Sequence, residues 1–322
     1  MLMRIYNEEE IRNAISLNAS LLTEIERAYT DLVTKEVQMP PVMRVDIEEQ
    51  RGEMDVKTAY IPGDQQFALK VSTGFFNNYK IGLPSTGGLM LLINAMNGQV
   101  DAILQDNGYL TDLRTAAAGG IAADYMANET LHTVGVIGAG TQARLQLKAL
   151  QQVRDFETVF VYSKSRKRLE NFKKEMEATL QVPVTIKENP QPVVEESDLL
   201  ITATPATSPV VKAEWVPPGM HITAMGSDAE QKQELDPKIF SQADAIVCDV
   251  FAQCEVLGEL QGAKEAGVIT HQNQVVEMGN VILQNKSVRT SSRDVTVVDL
   301  TGTGVQDTKI ALYANEKLME KK

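Results

Sequence analysis

Between residues 8 and 34 the apolar positions Ile11, Ala14, Ile15, Leu21, Leu22, Ile25 and Ala28 recur among charged residues. That spacing predicts helical segments with one apolar face turned to a sheet. From Val42 to about Val100 the pattern changes to short apolar stretches separated by Ile61-Pro62-Gly63-Asp64, Asn77-Asn78 and Asn97-Gly98, as antiparallel strands joined by turns require. The first domain is therefore expected to be α+β. After Asp106-Asn107-Gly108, the Ala-rich, Pro-free run Leu110 to Ala127 predicts a long helix, N-capped by Thr111, that leads out of this domain. From Thr133 a buried strand, a Gly-rich turn and a helix follow, with further strands at Thr158 to Tyr162, Leu199 to Ala203, His221 to Met225 and Ala245 to Val250. Strands alternating with helices build a parallel sheet. The last apolar run, Val295 to Leu300, precedes Thr301-Gly302-Thr303-Gly304 and a helix through Leu318, read as a strand, a loop and a helix that returns to the first domain.

A chain of 322 residues exceeds what one hydrophobic core usually organises, which makes two domains the expectation. Its 43% hydrophobic and 23% charged residues are those of an ordered globular protein, with fraying expected only at the closing Glu320-Lys321-Lys322. The formal charge of −12 argues against a nucleic-acid or anionic-membrane surface, since both need net positive potential. The acidic start lacks a secretory pattern, and the most apolar stretch, Gly88 to Ala95, is far shorter than the roughly 20 residues that span a bilayer. Cys248 and Cys254 are too few for a disulfide scaffold. A cytoplasmic protein without membrane spans is expected.

The strongest motif is Val134-Gly135-Val136-Ile137-Gly138-Ala139-Gly140-Thr141-Gln142-Ala143, a strand running through Gly-x-Gly-x-x-Ala into a helix. Gly138 permits the tight turn, Gly140 lets main-chain N–H groups approach a pyrophosphate, and small Ala143 allows close helix packing. The helix N-terminus, with Thr141 and Gln142, favours the anion. After the second strand an NAD site normally offers a carboxylate to the ribose, whereas here Ser163-Lys164-Ser165-Arg166-Lys167-Arg168 follows. Hydroxyls and cations suit a ribose phosphate. The expected cofactor is thus NADP(H) in preference to NAD(H), with Ser163, Lys164, Arg166 and Thr204 in the cofactor-contacting set. A solvated basic helix start is the plainer reading of the same run.

Arg114 stands in an otherwise small, apolar helix, as either an ion-paired structural residue or a bidentate holder of a carboxylate. The run Thr111-Asp112-Leu113-Arg114-Thr115-Ala116-Ala117, the Val136 to Ala143 fingerprint, Gly226-Ser227-Asp228 with Lys232-Gln233-Glu234-Leu235, and Asp299 to Asp307 carry a resemblance over nearly the whole chain. The sequence resembles the ornithine cyclodeaminase and mu-crystallin family of NAD(P)-dependent enzymes and imine reductases. That resemblance implies an α/β protein: a Rossmann-type parallel-sheet domain over residues 128–301, and a discontinuous α+β substrate and dimerisation domain over 1–127 and 302–322. It implies a homodimer with the cleft between domains. It also implies that Arg44, Lys70 and Arg114 surround a substrate carboxylate, with Lys70 near the reacting nitrogen, while Asp228 faces the amino or imino group and acts with Lys70 as a catalytic residue. By residue type alone, Lys70 and Arg44 read as solvated strand charges and Asp228 as a cap.

Ornithine-specific members carry a carboxylate near the position of Lys57. A cation there repels a distal ammonium and suits a second carboxylate; a strand lysine facing water is the plain alternative. The runs Asp55 to Tyr60 and Lys70 to Asn78 look most like the ectoine-utilisation branch and its iminosuccinate-reductase relatives. The resulting expectation is an NAD(P)H-dependent reductase of a small imino acid, specifically iminosuccinate to aspartate. The alternatives are a cyclodeaminase of ornithine or a related diamino acid, and a non-catalytic crystallin-like binder of NADP or a small ligand. His132, His221 and His271 lack metal-ligand spacing, Cys248 reads as a core residue, and no metal site is expected.

Overall fold

A computed structural model describes residues 3–285 and 287–321, so the expectations for Met1, Leu2 and Lys322 lie outside it. In chain order, the first elements are β1 (Arg4–Tyr6), α1 (Glu8–Ala14), α2 (Ala19–Thr34), β2 (Met43–Ile47), β3 (Gly52–Ala59), β4 (Gln66–Phe75), β5 (Thr86–Asn94), β6 (Val100–Leu104) and α3 (Tyr109–Met126). There follow β7 (Thr133–Ile137), α4 (Thr141–Leu150), β8 (Thr158–Tyr162), α5 (Arg166–Leu180), β9 (Val184–Ile186), α6 (Pro190–Glu195), β10 (Leu199–Thr202), β11 (Thr207–Val211), β12 (His221–Ala224) and β13 (Gln233–Leu235). The last are α7 (Lys238–Gln242), β14 (Ala245–Cys248), α8 (Phe251–Leu257), α9 (Glu259–Glu265), β15 (Val276–Glu277), α10 (Met278–Gln284), β16 (Thr296–Asp299) and α11 (Gly304–Glu320).

The chain forms two compact units, Met1–Arg114 with Thr303–Lys322, and Thr115–Gly302, so the division falls inside α3 and not at its end. In the first unit six strands run in the order β1-β6-β5-β4-β3-β2, antiparallel except for the β1 and β6 pair. One sheet face buries Ala59, Ala68, Met90, Leu92 and Leu104, and α2 turns Leu21, Ile25 and Ala28 inward. Helix α11 lies against β3 and β4 at close range. A Cβ on Gly304 would come within 2.3 Å of the Thr58 carbonyl oxygen. Thr308 accepts from the Ala68 N–H (3.1 Å) and donates to the Ala59 carbonyl (2.8 Å). The opposite sheet face is apolar and open, with Ile5, Met43 and Val45 exposed.

Helix α3 begins two residues before Thr111. Asp106, not Thr111, supplies its cap: the buried carboxylate accepts from the Leu110 N–H at 2.8 Å, because Asn107 and Gly108 take positive φ and turn the chain back over it.

The second unit is an eight-stranded parallel sheet in the order β15-β14-β16-β12-β10-β7-β8-β9, the Rossmann-type architecture. Its central strands β10, β12 and β16 are buried throughout because helices cover both faces. One core cluster joins Ala143, Leu147 and Phe172 to Val134 and Val159, and the other joins Val193, Phe240 and Leu260 to Ile222 and Val297. Within this unit, the glycine at 119 admits the buried Gln146, whose amide donates to the Thr115 carbonyl at 2.9 Å.

Candidate active site

In the second unit Gly138 follows β7, with φ +121°, and a Cβ there would stand 2.6 Å from the carbonyl oxygen of Ala203, the residue after β10. Both facts demand glycine. Gly140 is the N-cap of α4, with open space where its Cβ would point, and Ala143 is fully buried in the helix–sheet core. Beside this turn is a cleft of about 370 Å³, lined among others by Gly138, Gly140, Ser163, Lys164, Arg168 and Thr204. Arg166 does not line it; its guanidinium pairs with Glu170 (2.8 Å) and Glu188 (3.1 Å), and Arg168 is the arginine at the cleft. Ser165 caps α5, accepting from the Arg168 N–H at 3.5 Å. A glycine turn with room for close approach, a helix N-terminus and no carboxylate lining the cleft fit a dinucleotide.

In the first unit three of the expected substrate residues converge. Lys57 and Lys70 are directly opposite in the β3 and β4 register and both are buried. Lys70 Nζ lies 2.8 Å from Asp307 Oδ2, and Arg114 Nε donates to Asp307 Oδ1 at 3.1 Å. Asp307 was not among the expected site residues, and its only sequence signal is its place in the Asp299 to Asp307 run. Burial, aided by the charges of Arg114 and Lys57, pushes the Lys70 pKa down to about 7 against the pull of Asp307. Burial alone would raise the Asp307 carboxyl, yet Lys70, Arg114 and Lys57 hold it below its ordinary value. Nearby, burial raises Asp106 to about 6, although the Leu110 N–H works against it. Lys57, Lys70 and Arg114 thus gather around Asp307, an arrangement of basic side chains suited to an anionic ligand.

Arg44 sits on the same sheet face, opposite Asp55, and its guanidinium is engaged by Glu53 (2.7 Å), Asp46 (2.9 Å) and Asp55 (3.4 Å). These carboxylates raise its pKa although burial opposes them. Asp228 belongs to the second unit, in the loop after β12, half exposed and 2.6 Å from Lys232 Nζ. His221 is buried between Thr296 (2.9 Å) and Thr223 (3.0 Å), and burial with the charges of Arg289 and Arg154 drives its pKa to about 3, which keeps it neutral. Among the described residues no group of three or more His, Cys, Asp or Glu is arranged to hold a metal ion, and no helix is long and apolar enough to cross a membrane.

A sequence profile described as the ornithine cyclodeaminase/mu-crystallin family matches residues 3–322. An uncharacterised cyclodeaminase, y4tK, of Sinorhizobium fredii is 44% identical, covering 99% of this chain and 97% of its own. An archaeal alanine dehydrogenase, solved as a dimer with bound NAD, superposes with a TM-score of 0.91 at 34% identity, covering 100% of this chain and 97% of the other. The iminosuccinate reductase of Paracoccus denitrificans, solved with NAD+, superposes with a TM-score of 0.87 at 30% identity over 99% and 97% of the two chains. With its glycine turn, its parallel sheet and this full-length likeness, the chain belongs to the ornithine cyclodeaminase/mu-crystallin family.

Proposed function

We propose that this enzyme reduces a small 2-imino acid to the amino acid, with iminosuccinate to aspartate as its reaction. The observation that carries the reading is the buried Lys57–Lys70 pair beside Arg114 and Asp307. Arg114 and Lys70 serve the carboxylate next to the reacting carbon, and Lys57 serves a second carboxylate. When bound, the nicotinamide supplies the hydride that the imine carbon accepts. Lys70, with a pKa near 7, is poised to hold or give a proton at the imine nitrogen at neutral pH. Asp228, in the loop after β12, is assigned the stabilisation of the cationic nitrogen. Ser163, Lys164 and Arg168 at the cleft support NADP(H) over NAD(H), while the solved relatives named above hold NAD.

The test is nicotinamide absorbance with the purified protein, NADPH or NADH, and oxaloacetate with ammonium, the mixture that generates iminosuccinate. Oxidation of the nicotinamide is expected, faster with NADPH. Ammonia release from a diamino acid with no net oxidation would replace this reading with a cyclodeaminase. Lys57→Glu should weaken the dicarboxylate at least about tenfold and a monocarboxylate imino acid far less, because it sets a like charge against the second carboxylate. Equal effects on both would remove the case for iminosuccinate.

The open apolar face bearing Ile5, Met43 and Val45 supports a homodimer in which a second copy covers it. Val45→Asp should shift the mass measured by light scattering from dimer to monomer.

A further inference from the structure

Glu234, on the short strand β13, is fully buried, and its carboxylate accepts two main-chain N–H groups: Thr204 to Oε1 at 2.7 Å and Gly226 to Oε2 at 2.8 Å. The two donors belong to different loops. Thr204 follows β10 and lines the cleft, whereas Gly226 follows β12 and stands two residues before Asp228. Both loops have already left the parallel ladder, whose last bonds here are Ala203 N–H to Ile137 O and Met225 N–H to Thr202 O.

The carboxylate is itself held in place. Glu234 and Leu235 donate their N–H groups to Glu259 at 2.7 and 3.0 Å, at the start of α9, and Leu260 donates to Asp299 at 3.0 Å, at the end of β16. Three buried acids thus form a ladder from the sheet to the two loops. The chain leaves no slack: a Cβ on Gly226 would stand 2.4 Å from Glu234 Oε2, and one on Gly258 2.3 Å from Asp299 Oδ2. Burial raises Glu234 to about 7 and Asp299 to about 8, so this arrangement is costly. An amide side chain could not replace it, because two facing N–H donors need two acceptor oxygens and a glutamine offers one.

We infer that Glu234 is a positioning residue for the reaction, setting the spacing between the cofactor-lining loop at Thr204 and the loop that carries Asp228. The inference rests on the proposed roles of those two loops. It adds a residue that touches neither cofactor nor substrate.

The test is Glu234→Gln in the full-length protein, followed by dinucleotide titration through nicotinamide fluorescence and by steady-state kinetics with oxaloacetate and ammonium. Loss of one of the two bonds should raise the dinucleotide Kd about tenfold and lower kcat by a similar factor, with the KM for the imino acid little changed. A folded variant with unchanged Kd and kcat, even one with a lower melting temperature, would assign Glu234 a purely structural role and overturn the inference. Wild-type protein that binds neither NADPH nor NADH would overturn the functional reading, and the inference with it. If the variant does not fold, amide exchange in the wild type decides. Slow exchange at Thr204 and Gly226, both in loops, is expected, and rapid exchange at either would overturn the bridging role.

Discussion

Asp307 shows how one side chain sets the chemistry of its neighbours. Its carboxylate meets both Lys70 and Arg114, yet burial still leaves Lys70 near 7, so this lysine titrates where most lysines are fully charged. A protonated Lys70 attracts an anion and a neutral one does not. The inhibition constant of succinate, whose own charges are constant above about pH 6.5, should therefore rise as pH increases through about 7. In Asp307→Asn the cation loses its counter-charge, Lys70 is depressed further, and the rise should begin at lower pH. A succinate constant that stays flat to pH 8.5 would show that Lys70 keeps its proton or does not face the ligand.

Helix α11 delivers Asp307, and its approach depends on small and hydroxylated residues. Gly304 passes within van der Waals limits of β3, while Thr308 bridges Ala59 and Ala68 across β3 and β4. A Cβ at 304 meets main chain that cannot swing aside. Gly304→Ala should therefore destabilise the protein by about 1–3 kcal/mol and lower turnover by moving Asp307 away from Lys70. Urea denaturation and kinetics report the two effects separately. Wild-type stability would mean that α11 sits farther from β3. At the other glycine-dependent junction, after β7, positive φ and the Ala203 carbonyl act together at Gly138, which is why that turn was legible as a motif.

On the scale of the molecule, buried ionisable groups give stability a distinct pH dependence. Glu234 rises from 4.5 to about 7, Asp299 from 3.8 to about 8, Glu259 well above 4.5, and Asp106 to about 6, each chiefly through burial. Folded protein then binds more protons than unfolded chain between these limits, so stability is greatest at the acid side and is lost as pH rises. His221, depressed to about 3 from 6.5, acts in the opposite sense below about 6.5, but it is one proton against several. The melting temperature should fall from pH 5 to pH 7, and Asp299→Asn should flatten that slope. A melting temperature that climbs over this range would contradict the upward shift of these buried acids.

The sequence by itself determined the parallel-sheet unit, because strand, glycine turn and helix are consecutive and their signals are local. It also marked Arg114, by its setting in a small, apolar helix, and Lys57, Lys70 and Asp228 through resemblance and not through spacing. The short strands β1, β9 and β13 escaped notice, since three residues carry no periodicity, and the Thr111 cap was misread because the capping carboxylate stands earlier, at Asp106. Only the tertiary structure decided that Lys57 faces Lys70, that Arg44 is taken up by three carboxylates, and that Asp307 joins Lys70 to Arg114. The reason is physical: register, burial and charge pairing between distant segments arise when strands and helices pack, and no run of adjacent residues encodes them.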